Sequence, residues 1–204
     1  MAQRISILSN SAGIKLAHDI CTHLSIEPAQ QSVKRFQDGE VSVQLMENVR
    51  GNNVFIVGPI NPPAENLLEM YLLARAARGS SAKQVILVVP YLGYNRQDRK
   101  DRPRVPVSAK AIVDILKLTG ADRALLLDVH SEPTVAYFEP MVTDHLYGSA
   151  VGVPHLKSLV GPQTVVPSPD AGGVAKSRKY MQYLGLNKLA IFSKNRLEEG
   201  KAEK

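Results

Sequence analysis

The residues with most chemical reach fall in four short runs: Arg96-Gln97-Asp98-Arg99-Lys100-Asp101-Arg102 with Arg104 just beyond, Asp128-Val129-His130-Ser131, Asp170-Ala171-Gly172-Gly173, and Lys194-Asn195-Arg196. The first combines guanidinium groups, which grip phosphate oxygens in a bidentate way, with Gln97 and Asp101, which suit the hydrogen-bonding edge of a nucleobase. In the second, a histidine one residue removed from a carboxylate can serve as metal ligand or acid–base group. The third offers a carboxylate for a divalent ion or a ribose hydroxyl, and its glycines let a ligand approach backbone at a helix N-terminus. In the fourth, Lys194 and Arg196 stand two positions apart and project to the same side of an extended segment. Together these groups suit a polyanion and its metal.

Each run also has a plainer reading. A dense charge run is most often a solvated loop, and it can equally grip nucleic-acid phosphates. A lone histidine is usually structural, and Asp-Ala-Gly-Gly can be only a tight turn. Basic residues near a chain end are usually solvated. What separates the readings is position, because each run follows directly on an apolar stretch that reads as a strand.

Those stretches belong to a regular alternation. Residues 4–8 read as a strand, and Ile14, Ala17, Ile20, Cys21 and Leu24 recur at helical spacing. Val41, Val43 and Leu45 alternate with polar residues as in a half-exposed strand, and residues 54–57 form a short strand stopped by Gly58-Pro59. Residues 65–77 are rich in good helix formers. Strands follow at 85–89 and 124–129, separated by a helix over 109–118 that Gly120 ends. The rhythm restarts with the end of a helix at 155–160, a strand at 164–166, a helix over 174–184 and a strand at 189–192. Such alternation implies an α/β fold with mainly parallel sheets flanked by helices. A domain boundary is expected near residues 147–152, dividing the chain into residues 1–147 and 148–204. Open parallel sheets bind ligands beyond the carboxyl ends of their strands, where all four runs lie.

Composition narrows the class. The 204 residues are 44% hydrophobic with no Trp, which predicts aliphatic cores. The formal net charge is +6, concentrated in the Arg96–Arg104 loop rather than spread along a helix. Cys21 is the single cysteine, so no disulfide can form within the chain. No apolar run suits a signal peptide or the ~20 residues of a membrane span. A soluble cytoplasmic protein with neither membrane nor nucleic acid as partner is expected. Neither G-x-x-x-x-G-K-[ST] nor G-x-G-x-x-G occurs, which argues against a P-loop kinase and a standard dinucleotide-binding domain. There is no H-E-x-x-H and no cysteine cluster to hold zinc. His18, His23, His145 and His155 have no setting comparable to that of His130.

With Arg35-Phe36-Gln37-Asp38-Gly39-Glu40 added, and Tyr94-Asn95 leading the Arg96 run and Ser168-Pro169 the Asp170 run, the chain resembles the ribose-phosphate diphosphokinases in motif order and spacing. The resemblance extends over essentially the whole chain, and Gln37 and Ser131 stand where Ser and Ala are common in that family. It implies two phosphoribosyltransferase-type domains, the first binding ATP and the second ending here in the catalytic loop. It implies a symmetric homo-oligomer, commonly a hexamer, with the ATP site at a subunit interface. Phe36, Asp38 and Glu40 would lie on a hairpin reaching into a neighbour's ATP site, while Arg96, Gln97 and Asp101 hold ATP. His130 and Asp170 would help to bind magnesium (Mg2+), with Asp170 also near the ribose of ribose 5-phosphate. His130, Lys194 and Arg196 would be catalytic, the last two on a loop closing over the phosphates. Arg50 and Arg104 match positions lining a regulatory phosphate or ADP site.

The implied reaction transfers the diphosphoryl group of ATP to the C1 hydroxyl of ribose 5-phosphate. No D-D-x-x-x-T-G-G-T-like segment occurs in these residues, so the loop expected to hold the sugar 5-phosphate is lacking and the second domain is expected to be partial. Alternatives are a non-catalytic regulatory homologue that binds nucleotide and docks on an active synthetase, a phosphoribosyltransferase of related fold, and a nucleic-acid-binding protein suggested by charge alone. The catalytic assignment of Lys194 has a direct kinetic test. In the active enzyme, Lys194→Ala should lower kcat by roughly 10²–10³ while KM for ATP changes far less. A kcat within a few-fold of wild type would return Lys194 to the solvated surface.

Overall fold

The computed structural model describes residues 4–192, so Lys194 and Arg196 lie outside the described residues. The chain divides into two compact units, Met1–Leu146 and Tyr147–Lys204. Among the described residues no helix is long and apolar enough to cross a membrane.

In the first unit, β1 (Ile5–Ser9), β4 (Asn53–Val57), β5 (Gln84–Val89), β6 (Arg123–Leu127) and β7 (Val142–Leu146) form one five-stranded sheet in that order, with every neighbouring pair parallel. Helices α1 (Ile14–Leu24), α2 (Glu65–Gly79) and α3 (Ser108–Lys117) lie between sheet strands in sequence. Successive side chains on a strand point to opposite faces, and the core divides accordingly. Leu8, Val54, Ile56, Leu87 and Leu126 pack with Met70, Leu73 and Ala77 of α2 and with Val113 and Leu116 of α3. The alternate positions Ile7 and Val57 pack instead with Ala17 and Cys21 of α1. The α/β class and the parallel sheet are therefore as the strand–helix alternation predicts.

Close approach on the α1 side depends on Gly13. A Cβ there would collide with the carbonyl oxygen of Val57 and come 2.7 Å from Gly58 Cα, both backbone atoms of the β4 exit. No rotamer change relieves such a clash.

A separate antiparallel hairpin joins β2 (Gln31–Arg35) to β3 (Val41–Leu45), with Val33 opposite Val43 and Arg35 opposite Val41. Val33, Val43 and Leu45 pack against the core cluster that contains α2. β2 carries one apolar residue and forms because β3 offers a partner and α2 a surface, which outweigh intrinsic propensity. The chain also guards the open edge of β1. Ala29 N–H donates to Ile7 O (2.9 Å), and the Gln31 side-chain amide both donates to Ser9 O (2.5 Å) and accepts from Ser9 N–H (3.1 Å). Edge strands left bare invite pairing with another chain.

β7 is absent from the sequence reading because Val-Thr-Asp-His-Leu resembles a polar turn. Here Asp144 pairs with Arg123 across the ladder (2.5 Å), so its charge is answered on the neighbouring strand. The stretch read as a strand to residue 129 stops at Leu127, because Asp128 adopts a left-handed φ of 43°.

In the second unit, β8 (Val166–Ser168) and β9 (Leu189–Ile191) are parallel, accompanied by α4 (Ser149–Lys157) and α5 (Val174–Tyr183). The strand expected at 164–166 begins two residues later. Thr164 is held in a turn, its N–H donating to Gly161 O and its hydroxyl accepting from Gly161 N–H, both at 2.9 Å. The helix expected to end near residue 160 ends at Lys157, where Ser158 N–H donates to His155 O.

Gly13→Ala should lower the unfolding free energy by about 1–3 kcal/mol, the usual cost of overpacking. Urea denaturation monitored by circular dichroism checks this, and an unchanged midpoint would mean that α1 can slide away from β4 freely.

Candidate functional site

The β5–β6 register sets the site. Val89 lies opposite Leu126, so the loops leaving β5 and β6 emerge side by side, roughly 4.8 Å apart at their origin. The β5 loop turns sharply, with Tyr94 at a left-handed φ of 61°. It then runs into α3, where Gln97 acts at the helix start. Ser108 Oγ donates to Gln97 Oε1 (2.5 Å), and Ala109 N–H donates to Gln97 O (3.1 Å). The side-chain oxygen of Gln97 is thus engaged by the Ser108 hydroxyl at the start of α3.

The two exits are laced together by a 3-10 segment, Glu132–Phe138. Thr134 Oγ1 donates to Asn95 Oδ1 (2.8 Å), and Asn95 is only 2% exposed. Tyr137 OH donates to Asp98 O (2.9 Å), while Lys117 from α3 donates to Tyr137 O (2.8 Å). The Asp98 carboxyl is held below the usual carboxylate range, first by a hydrogen bond from the Ser131 side chain. Partial burial opposes this, while a backbone hydrogen bond, Arg99 and His130 add to it. Asp98 therefore joins the β5 and β6 exits as an anion.

Behind the second exit stands β7. Asp128 N–H donates to Leu146 O (3.0 Å), and Val129 N–H donates to His145 Nε2 (3.2 Å). An accepting Nε2 places the proton of the neutral ring on Nδ1. The sequence reading gave His145 no special setting. The structure gives it a bracing contact, because the ladder places it opposite Leu126 and its ring accepts from Val129 N–H beside His130.

Between the exits opens a cleft of about 680 Å³, lined by Arg96, Gln97, Arg99, Asp101, Arg102 and His130, with Asp98 and Ser131 also in its wall. A smaller cavity of about 180 Å³ shares Arg96 and His130 and adds Tyr91, Asn95 and Asp128. A mouth rich in guanidinium groups with interspersed acceptors suits a phosphorylated ligand that also presents a hydrogen-bonding edge.

The remaining candidates stand elsewhere. Phe36, Asp38 and Glu40 lie on the β2–β3 hairpin tip, closed by Phe36 N–H to Glu40 O (2.9 Å) and Gly39 N–H to Phe36 O (3.0 Å). Phe36 is 58% exposed, and none of the three lines the cleft of its own chain. Arg50 sits in the turn after β3, its N–H donating to Asn48 Oδ1 (3.0 Å), and Arg104 occupies a left-handed position (φ 64°) in the α3 approach. Neither of them lines the cleft. In the second unit Asp170 caps the turn before α5, its Oδ1 accepting from Gly173 N–H (2.9 Å). Among the described residues no group of three or more His, Cys, Asp or Glu side chains converges to hold a metal unaided.

Comparison with known proteins places this geometry. The family model described as the N-terminal domain of ribose phosphate pyrophosphokinase matches residues 5–120. A ribose-phosphate pyrophosphokinase of Chlorobaculum tepidum is 40% identical over 204 residues, covering 100% of this chain and 62% of that protein. The chloroplastic ribose-phosphate pyrophosphokinase 1 of Oryza sativa subsp. japonica is 41% identical, covering 98% of this chain and 51% of the relative. The crystal structure of phosphoribosylpyrophosphate synthetase from Mycobacterium smegmatis superposes with a TM-score of 0.88 at 30% identity, covering 95% of this chain and 65% of that one. The chain thus spans between half and two thirds of the length of these relatives.

Because Ser131 is the main stabiliser of ionised Asp98, Ser131→Ala should raise the Asp98 carboxyl toward its ordinary value. A group whose native pKa is depressed adds stability above its unfolded value, and that stability is lost as pH falls through the native value. The variant should therefore lose less stability on acidification than the parent. Carbon-13 NMR titration of the Asp98 carboxyl checks the shift, and an unmoved midpoint would show that Ser131 does not bond it.

Proposed function

The chain belongs to the ribose-phosphate pyrophosphokinase family, and from that premise we propose that it supplies the ATP-binding part of an enzyme making 5-phosphoribosyl 1-diphosphate and AMP from ATP and ribose 5-phosphate. The observation that carries this reading is the convergence of Arg96, Gln97, Arg99, Asp101, Arg102 and His130 on one cleft at the β5 and β6 exits. In the proposed chemistry the C1 hydroxyl oxygen attacks the β-phosphorus and gives up its proton to solvent, the bond from that phosphorus to the α,β-bridging oxygen breaks, and AMP leaves with the bond electrons. Most of the catalytic power in such transfers comes from positioning and electrostatic stabilisation, so no covalent nucleophile is needed.

Each residue group has a role in that scheme. Arg96 contacts phosphate oxygens, while Asp101 and the NH2 group of Gln97 read the adenine edge. The hairpin-tip residues Phe36, Asp38 and Glu40 serve the nucleotide site of a neighbouring subunit in a homo-oligomer, with Phe36 stacking on adenine. Their exposure and their absence from the cleft of their own chain support this. Asp170 serves the ribose of the sugar phosphate, and Lys194 and Arg196 stabilise charge developing on the transferred group. Arg50 and Arg104 are proposed for a separate regulatory phosphate.

Magnesium, as an ion carried in with the nucleotide, suits the carboxylate of Asp170, a hard oxygen donor at the turn before α5. Such ions take one or two protein ligands and complete their shell with phosphate oxygens and water. His130 and Asp170 are the residues proposed to hold it. Bound there, magnesium would neutralise part of the diphosphoryl charge and align its oxygens. Arg96 and Arg99 add fixed positive charge at the cleft mouth, and the Asp98 anchor braces the two exits there.

Loss of one charge-assisted contact from Arg96→Ala should raise Kd for Mg-ATP by about 10- to 100-fold. Calorimetry on the assembled protein measures this, and unchanged affinity would remove the cleft from the nucleotide site.

A further inference from the structure

Glu69 is the one charged side chain among the described buried residues, 3% exposed on α2. A carboxylate so placed is costly unless it is hydrogen-bonded and paired. Its Oε2 accepts from Ser11 N–H (2.7 Å), in the turn that leaves β1. Its Oε1 faces the Arg35 guanidinium at 3.7 Å. Arg35 is the last residue of β2, its side chain 45% exposed, and its other arm donates to Gly39 O at 3.4 Å. One guanidinium thus links the hairpin tip to a buried anion on α2, and that anion is bonded to the turn beyond β1.

The base of the hairpin does not need this link, because Val33, Val43 and Leu45 already pack on the core. The tip does. Residues 36–40 are all exposed, so apolar packing fixes nothing there. The bonds within the tip, including Glu40 N–H to Asp38 Oδ1 (3.1 Å), are short-range, and Arg35 ties the tip to the body of the unit. We propose that Glu69, acting through Arg35, is a positioning residue that sets the orientation of the hairpin tip bearing Phe36, Asp38 and Glu40. That the tip meets nucleotide rests on the proposed function, but that the strut orients it does not.

The chain contains no Trp, so Gln37→Trp introduces a sole indole at the tip. In that background Arg35→Gln and Glu69→Gln should each lower the steady-state fluorescence anisotropy of the indole. The double variant should lower it no further than Arg35→Gln alone, because Glu69 acts on the tip only through Arg35. Thermal unfolding should show each variant folded. Should Glu69→Gln fail to fold, the exposed Arg35→Gln carries the test alone. Calorimetry with Mg-ATP should show Kd raised by about tenfold in the same variants, the equivalent of one net hydrogen bond. Anisotropy equal to that of the parent would overturn the strut whatever the affinity. Lowered anisotropy with unchanged affinity would uphold the strut and overturn the nucleotide role of the hairpin.

Discussion

The pairing of Val89 with Leu126 is the constraint from which the site follows. A parallel ladder sends neighbouring strands out of the sheet at the same end. The basic loop after β5 and the Asp128–His130 turn after β6 therefore share one opening without any long-range recognition between them. Sheet hydrogen bonds are broken by a register slip, and a slip of one residue also reverses every side chain. The burial of Leu87, Val89, Ala124 and Leu126 on one face forbids that slip. Apolar packing and ligand chemistry are thus coupled through residue alternation on two strands.

The polar groups near the cleft refine what the ladder makes possible. Asn95, Asp98, Thr134 and Tyr137 bond to one another's loops, so the cationic residues project from a braced frame. Such bracing matters where like charges crowd. Arg96, Arg99 and Arg102 repel each other in the absence of an anion, and an unbraced loop would relax by spreading them apart. Preorganised charge at a fixed spacing binds a polyanion without first having to be gathered.

Much of this was legible in the sequence, and what was not has physical causes. Residues 54–57 and 85–89 are apolar on both faces, which only a covered parallel strand requires, so the central sheet and its exits could be read directly. β7 could not, because Asp144 and His145 look like turn residues until Arg123 and Val129 supply their partners from β6 and its exit. The bracing residues Thr134 and Tyr137 carry no motif; their value lies in contacts made after the chain has folded back by 39 residues. Asp98 reads as one charge among several, and nothing local marks it as the anchor rather than a ligand contact. The candidate roles of Phe36, Asp38 and Glu40 came from resemblance, since none of the three lines the cleft of its own chain.

Gln31 has a second consequence as the first residue of the hairpin. Its side-chain amide mimics the next strand of the sheet, occupying the Ser9 N–H and C=O that a foreign strand would seek. The edge guard that starts at Ala29 is thus completed by the first residue of the hairpin. Shortening that excised the hairpin from Gln31 onward would do more than delete a surface loop. It would uncover the Ser9 end of the β1 edge, so the shortened protein would tend toward self-association at high concentration instead of remaining a dispersed but incomplete molecule.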